Sequence, residues 1–347
     1  MEQNMSKTVY FVMDPVEKIN RKKDTTLAFM YEAFKRGYKV FTTEPRHLWI
    51  KRDLNQKAEV HALCQEINFQ NDIENFELSK QNQQSMHDGQ FVFMRQDPPV
   101  TIEYITSTFI LDILENEGIM VINHPSQVRG ANEKLTAMQF PSCAPSTVIS
   151  SQKEQFRDFL ADKKDIVIKP LDGMGGQGIF RIKEGDQNLD SVIETLTFNG
   201  QIQIMAQQYI PEIVDGDKRI LMINGEPVPY ALARVPQKGA LRGNLAAGGQ
   251  GVGKELSARD REICEIVGPW LKAHNIYFAG LDVIGDYLTE VNVTSPTCVR
   301  ELDKIYNLNI SGQLFDALEK INKLALNAFF RAETLEYYIF RNFGWSI

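Results

Sequence analysis

The chain has 347 residues, with 38 Lys and Arg against 45 Asp and Glu and a formal net charge of -7 at pH 7. That length leaves room for two or three domains with an ample core, and an acidic balance with neither a basic stripe nor a cationic tail argues against a nucleic-acid partner. No apolar run approaches the ~20 residues of a membrane span. The start, Met1-Glu-Gln-Asn-Met-Ser6, lacks a signal-peptide pattern, so no membrane association and a cytoplasmic location are expected. Cys64, Cys143, Cys264 and Cys298 are scattered, without C-x-x-C, and read as reduced thiols, Cys298 as a small packed hydrophobe. The five histidines show no metal-ligand spacing.

The first third alternates strand and helix. Thr8–Met13 is a short buried strand ended by Asp14-Pro15. Asp24 or Thr25 caps a helix through Leu27-Ala-Phe-Met-Tyr-Glu-Ala-Phe that Gly37 closes, and Tyr38–Phe41 is the next strand. Phe91–Met94 before Asp97-Pro-Pro, a helix from about Tyr104 to Glu117, and Ile119–Ile122 repeat the pattern. This predicts an open, mostly parallel α/β sheet over residues 1–125. Ligands of such sheets lie beyond the carboxyl ends of the strands, which makes Asp14, Ile19, Asn20, Arg95 and Asp97 a candidate substrate site. Ordinary turn chemistry at Asp14-Pro and Asp97-Pro-Pro is the competing reading. Lys51–Gly89 is polar and weakly periodic, and is expected as an excursion with partial helix.

From about Pro125 the character changes. Asn132-Glu-Lys-Leu-Thr-Ala begins a helix carrying Lys134. Ile166-Val-Ile-Lys-Pro-Leu-Asp-Gly-Met-Gly-Gly-Gln-Gly-Ile-Phe-Arg-Ile182 contains G-x-G-x-x-G at Gly173, Gly175 and Gly178. A dinucleotide site needs a helix after these glycines, and here the alternating strand Ile179-Phe-Arg-Ile follows. A P-loop is excluded because no Lys-Ser or Lys-Thr follows the last glycine. A strand–glycine loop–strand hairpin remains, the kind that lays backbone N–H groups over phosphates, with Lys169 as a point charge beside Gly173, Met174, Gly175 and Gly176. A plain surface hairpin is the alternative. Ile202–Ala206 is a strand running into Gln207-Gln-Tyr-Ile-Pro211. Val235–Gly253 combines glycines with Lys238, Arg242 and Asn244 and is expected, over 236–253, as a lid closing on an anionic ligand. In Leu288–Val293, read as a strand, the two-residue period puts Glu290 and Asn292 on one face. Asp282 ends the preceding apolar segment, and Gly285-Asp286 turns the chain. Three hard oxygen ligands in one hairpin suit Mg²⁺, with Mn²⁺ as a substitute; an edge hairpin with solvated carboxylates is the bland alternative.

Taken together, Val12-Met-Asp-Pro, Met94-Arg-Gln-Asp-Pro-Pro, Asn132-Glu-Lys-Leu, Lys169-Pro-Leu-Asp-Gly-Met-Gly-Gly, Asp215-Gly-Asp-Lys-Arg, Arg242-Gly-Asn-Leu-Ala-Ala-Gly-Gly and Leu288-Thr-Glu-Val-Asn-Val-Thr-Ser-Pro-Thr resemble the bacterial-type glutathione synthetases of the ATP-grasp superfamily, from Val9 to about Leu324. The resemblance implies ligation of glycine to γ-glutamylcysteine with ATP cleaved to ADP and phosphate. It implies an N-terminal substrate-binding domain at 1–125 and ATP-grasp subdomains at 126–206 and 207–325, followed by an extension at 326–347. By the same resemblance Lys134 meets ATP phosphates, Gln207, Tyr209 and Ile210 hold adenine, and Asp217 meets the ribose. Lys218 and Arg219 would reach substrate. Arg219, Arg234, Arg242 and Asn244 would be catalytic, Arg234 as a clamp on the phosphoryl group or a developing oxyanion, and Gly248 and Gly249 would touch substrate. The family is typically a homotetramer.

The chain departs from that pattern at Gln250, where many relatives carry a basic residue, and in an aromatic tail with Phe329, Phe330, Tyr337, Tyr338, Phe340, Phe343 and Trp345. The tail is expected to pack on its own domain, a subunit contact being the alternative. Competing readings are another ATP-grasp ligase acting on D-alanine or glutamate, opposed by the motifs around Met13-Asp-Pro and Arg95-Gln-Asp-Pro-Pro, and a non-catalytic, synapsin-like ATP binder, opposed by a complete metal set and lid.

Overall fold

The computed structural model describes residues 7–173, 177–237 and 250–325. Met174, Gly175, Gly176, Lys238, Arg242, Asn244, Gly248, Gly249 and the aromatic tail lie outside them. The first sheet is built on β1 (Thr8–Val12), whose five residues are all buried, as a strand covered on both faces must be. β1 pairs in parallel with β2 (Lys39–Thr43) and with β7 (Phe91–Met94), which pairs in parallel with β8 (Met120–Ile122). Helix α1 (Thr25–Lys35) starts where the Asp24 carboxylate accepts the Leu27 N–H at 2.7 Å, and α2 (Ile102–Asn116) starts at the Thr101 hydroxyl.

Residues 51–89 differ from expectation. They are strand, with β3 (Leu48–Lys51), β4 (Glu59–Phe69), β5 (Phe76–Leu78) and β6 (Asn82–Ser85) forming an antiparallel arm around β4. The helical part is one 3₁₀ turn at Met86–Asp88. Val60, Ala62, Cys64, Ile67 and Phe69 point into the core, but Glu, Gln and Asn on the outward face of β4 dilute the period-two signal.

Helices α3 (Pro125–Gly130) and α4 (Glu133–Ala137) lead into a four-stranded antiparallel sheet. Its strands β9 (Thr147–Ser150), β10 (Asp165–Pro170), β11 (Phe180–Lys183) and β12 (Ile204–Gln208) lie in the order β11-β10-β12-β9. With α5 (Lys153–Lys163) and α6 (Leu189–Leu196) it closes its own core around Phe156, Ile166, Ile168 and Ile193. β10 and β11 are antiparallel partners, the hairpin expected around the glycine loop.

The third sheet, in the order β15-β14-β13-β16-β17, contains β13 (Asp217–Ile223), β14 (Glu226–Val235), β15 (Gln250–Glu255), β16 (Phe278–Ile284) and β17 (Tyr287–Asn292). α7 (Ala258–Ala273) packs on one face, its start fixed by a reciprocal Ser257–Asp260 capping box. The other face shares a core with the N-terminal sheet, α8 (Val299–Tyr306) and the helical residues 310–325, through Leu221, Leu232, Phe278, Leu302 and Phe315 beside Phe29, Phe91 and Phe93. Gln250–Gly253, expected as the end of the lid, belong to β15, because their backbones complete the ladder to β14 despite a glycine-rich sequence.

Candidate active site

The acidic hairpin forms as expected, with Asp282 opposite Glu290 and Gly280 opposite Asn292. Asp282 lies inside β16, which runs on to Ile284, where the sequence suggested a strand end. Gly280 is required there, since a Cβ would come within 2.7 Å of the Arg219 side chain and 3.0 Å of Pro296. Arg219 on β13 lies opposite Asp282, and its Nη2 donates to Asp282 Oδ2 at 2.9 Å. Arg234 on β14 lies opposite Asp217, pairs with its carboxylate, and stands 2.8 Å from Asp282 Oδ2. Lys218, expected on the substrate side, faces the other way: the two-residue period turns it to the Asp260 carboxylate and the Gly285 carbonyl.

Arg219, Arg234 and Asp282 are 6%, 5% and 2% exposed. A charge so far from water persists only when paired. Burial works to raise the Asp282 pKa, yet the two guanidinium groups hold it well below the usual carboxylate range, and Asp282 in turn raises both arginines against their own burial. Asp217 goes the other way, pushed up by burial and by the charges of Asp282 and Glu290 despite Arg234. Its buried Oδ1 finds no hydrogen-bond partner among the described residues.

Glu290 receives two lysines from different parts of the chain. Lys134 Nζ and Lys169 Nζ each lie 3.5 Å from Glu290 Oε1, and they draw its pKa down against burial. A lysine on a helix is ordinarily solvated, but Lys134 is 3% exposed, because α4 packs against β17. Its ammonium also pairs with Glu133 and donates to the Gly173 carbonyl at 3.0 Å. Glu133 is a site residue that the sequence reading missed, although it precedes Lys134. The site thus brings four basic side chains, Lys134, Lys169, Arg219 and Arg234, together with four carboxyl groups, Glu133, Asp217, Asp282 and Glu290, of which burial pushes the Glu133 and Asp217 pKa values up.

These groups line a cavity of about 570 Å³ where the three sheets meet. On the central sheet Val167 and Lys169 share the face opposite the core residues Ile166 and Ile168, a consequence of strand alternation. Gln207, Tyr209 and Ile210 follow from β12, and Ile179, Ile213 and Ile284 complete an apolar wall that the sequence reading did not assign. Asp14, Ile19 and Asn20 line the end nearest the N-terminal sheet. The Asp14 carboxylate accepts the Asp97 N–H at 2.8 Å, and Ser295 Oγ donates to Asp97 Oδ1 at 2.7 Å. Arg95 lies behind that wall, where it donates to Thr26 Oγ1 and the Pro296 carbonyl, both at 3.0 Å, with its guanidinium near the faces of Phe29 and Phe278.

Asp282, Glu290 and Asn292 fit a hard divalent cation by donor chemistry, with two carboxylates and a carboxamide on adjacent strands. Among the described residues no three His, Cys, Asp or Glu side chains form a ready cage. Mg²⁺ needs none, since it typically takes one or two carboxylates and completes its shell with water and phosphate.

Two antiparallel lobes closing on a charged cleft, one with a glycine hairpin and the other with an acidic hairpin, define the ATP-grasp class of ligases. Among solved structures, the ATP-grasp ligase PsnB complexed with minimal precursor, Mg and ADP shares this fold, with a TM-score of 0.60 at 14% identity over 92% of this chain and 99% of that one. So does the D-cycloserine synthetase DcsG, with a TM-score of 0.61 at 12% identity over 91% and 99%. Residues 8–129 match the prokaryotic glutathione synthetase N-terminal domain, and residues 133–307 match the prokaryotic glutathione synthetase ATP-grasp domain. The glutathione synthetase of Pseudomonas aeruginosa is 50% identical over 316 residues, 90% of this chain and 98% of the relative, and that of Salmonella typhimurium is 47% identical over 308 residues, 89% and 96%. The chain belongs to the prokaryotic glutathione synthetase family and is an ATP-dependent ligase.

Proposed function

We propose that the chain joins glycine to γ-L-glutamyl-L-cysteine with cleavage of ATP to ADP and phosphate, in an N-terminal substrate domain (1–125) and two ATP-grasp subdomains (126–206 and 207–325). A carboxylate does not acylate an amine directly, because its leaving group would be oxide. The cysteinyl carboxylate oxygen attacks the γ-phosphorus of ATP, ADP leaves, and an acyl phosphate forms. The glycine amine then attacks the acyl carbon, phosphate departs with the bonding pair, and the amine loses a proton. Such transfer depends mainly on positioning and charge neutralisation.

The residues divide these tasks. Val167, Ile179, Tyr209, Ile210 and Ile213 offer the apolar slot for a flat base, and Asp217 a carboxylate for the ribose. Lys134 and Lys169 exchange Glu290 for phosphate oxygens, and Arg219 and Arg234 stand where negative charge develops. Asp282, Glu290 and Asn292 would hold Mg²⁺, which when bound neutralises charge on the polyphosphate. Asp14, Ile19 and Asn20 form the dipeptide end.

The observation that carries this reading is the convergence of Lys134 and Lys169 on Glu290, opposite Asp282. Coupled ADP release tests it: turnover is expected with γ-glutamylcysteine, glycine and Mg²⁺ together, and equal turnover with D-alanine or glutamate as sole substrate would overturn it. We further propose a cytoplasmic homotetramer. Four buried free cysteines support a reducing compartment, and no helix among the described residues is long and apolar enough to cross a membrane. A sedimentation mass of one or two subunits would refute the tetramer.

A further inference from the structure

Although it precedes the central sheet in the chain, within 126–206, the α4 segment packs on the C-terminal side of the cleft. Its Ala137 joins the core beneath the third sheet, and α4 packs along β17. A helix of five residues has no stability of its own, so its place depends on anchors. Asn132 supplies two. Its Oδ1 accepts the N–H groups of Lys134 and Leu135 at 3.0 and 3.1 Å, closing the first turn. Its Nδ2 donates at 3.1 Å to the carbonyl of Leu171, which lies across the cleft at the root of the glycine loop. Two residues further on, the Gly173 carbonyl receives Lys134. One carboxamide therefore joins the helix that aims Lys134 to the loop it faces.

We propose that Asn132 is a positioning residue for nucleotide: its carboxamide holds Lys134 and the Leu171–Gly173 loop root in register across the two lobes, so that both meet the same phosphates. The role needs an acceptor and a donor on one short side chain. Asp has the acceptor without the donor, and Ser is too short to span the cleft. The inference rests on the ligase reading only in taking ATP as the ligand of this cleft.

Asn132→Asp separates the two functions, because Asp caps a helix as well as Asn does. The thermal midpoint is expected to stay within about 2 °C. Binding of a non-hydrolysable ATP analogue, measured by calorimetry, is expected to weaken about tenfold, as is KM for ATP, through loss of the donor and a new carboxylate beside a carbonyl. KM for dipeptide and for glycine should stay within about twofold. Asn132→Ala loses both functions and should also lower the midpoint by about 2–4 °C. Wild-type analogue binding by Asn132→Asp overturns the proposal, and so does a parallel rise in all three KM values, which would mark a residue that merely supports the fold. Failure of the wild-type protein to use dipeptide and glycine would overturn the proposed substrates alone, since the calorimetric comparison still tests Asn132.

Discussion

The two lobes that face each other across the cleft are built differently. The central lobe closes on its own small core around Phe156 and Ile166, and among its described residues it contributes to the site mainly backbone, apolar surface and Lys169. The C-terminal lobe shares one core with the N-terminal sheet and carries the buried ions Arg219, Arg234 and Asp282 with the half-buried Asp217 and Glu290. Asn123 reinforces that union: it donates to the carbonyls of Phe278 and Val293, both at 2.7 Å, and accepts the N–H groups of Tyr277 and Phe278. Charges that must be aimed within fractions of an ångström sit on the more heavily supported side, and a lobe with a separate core is free to take up a nucleotide against them.

Four measurements break or sharpen this contrast. Arg234→Leu should have the largest effect on stability, because it removes one of two cations from the buried Asp282 and leaves the half-buried Asp217 without its own. Breaking such a pair costs about 3–5 kcal/mol, read as a lower urea midpoint. A loss below about 1 kcal/mol would mean that the cluster does not depend on its pairing. Glu290→Gln should act on chemistry instead, with ADP release down about 100-fold or more across Mg²⁺ concentrations while stability falls by about 1–2 kcal/mol. Near-wild-type release at moderate Mg²⁺ would put the cation elsewhere.

Glu115, in the N-terminal domain, shows what burial does to a carboxyl without a cation. Burial and then Asp112 push it up to about 7 against the hydrogen bond from the Val121 N–H. The folded state then holds the proton more tightly than the unfolded chain, so stability declines as pH rises from about 4 to about 7 and stays low above that. Glu115→Gln keeps the acceptor and removes the charge. It should stabilise the protein at pH 8 by on the order of 2 kcal/mol and hardly change it at pH 4, and equal thermal shifts at the two pH values would contradict the assignment. The smallest effect belongs to the central lobe. Arg181 pairs with Asp165 at 2.9 and 2.6 Å and lies 3.4 Å from the Tyr209 ring centroid, but the pair is only half-buried, at the edge of the cleft. Arg181→Ala should cost under about 1 kcal/mol and change ATP affinity about twofold. A tenfold affinity loss would make the Tyr209 edge of the central lobe as demanding as the ionic side.

Sequence alone determined the local elements whose signal is carried by neighbours in the chain. Asp24 caps α1, Gly285-Asp286 turns the acidic hairpin, and alternation in Leu288–Val293 puts Glu290 and Asn292 on one face, because caps, turns and strand faces are set within a few residues. The family and its reaction were legible for a different reason, through long motifs such as Lys169-Pro-Leu-Asp-Gly-Met-Gly-Gly. Tertiary structure decided what depends on partners far away. It drew strand β4 out of a polar stretch, turned Lys218 from the cleft, placed Arg95 behind its wall and took Gln250–Gly253 into a sheet. It also buried Lys134 against β17, where Glu133, Glu290 and the Gly173 carbonyl hold it. Whether a lysine is solvated or confined among carboxylates is fixed by the packing around it, and neighbours in sequence do not report the distance to a strand more than 150 residues away.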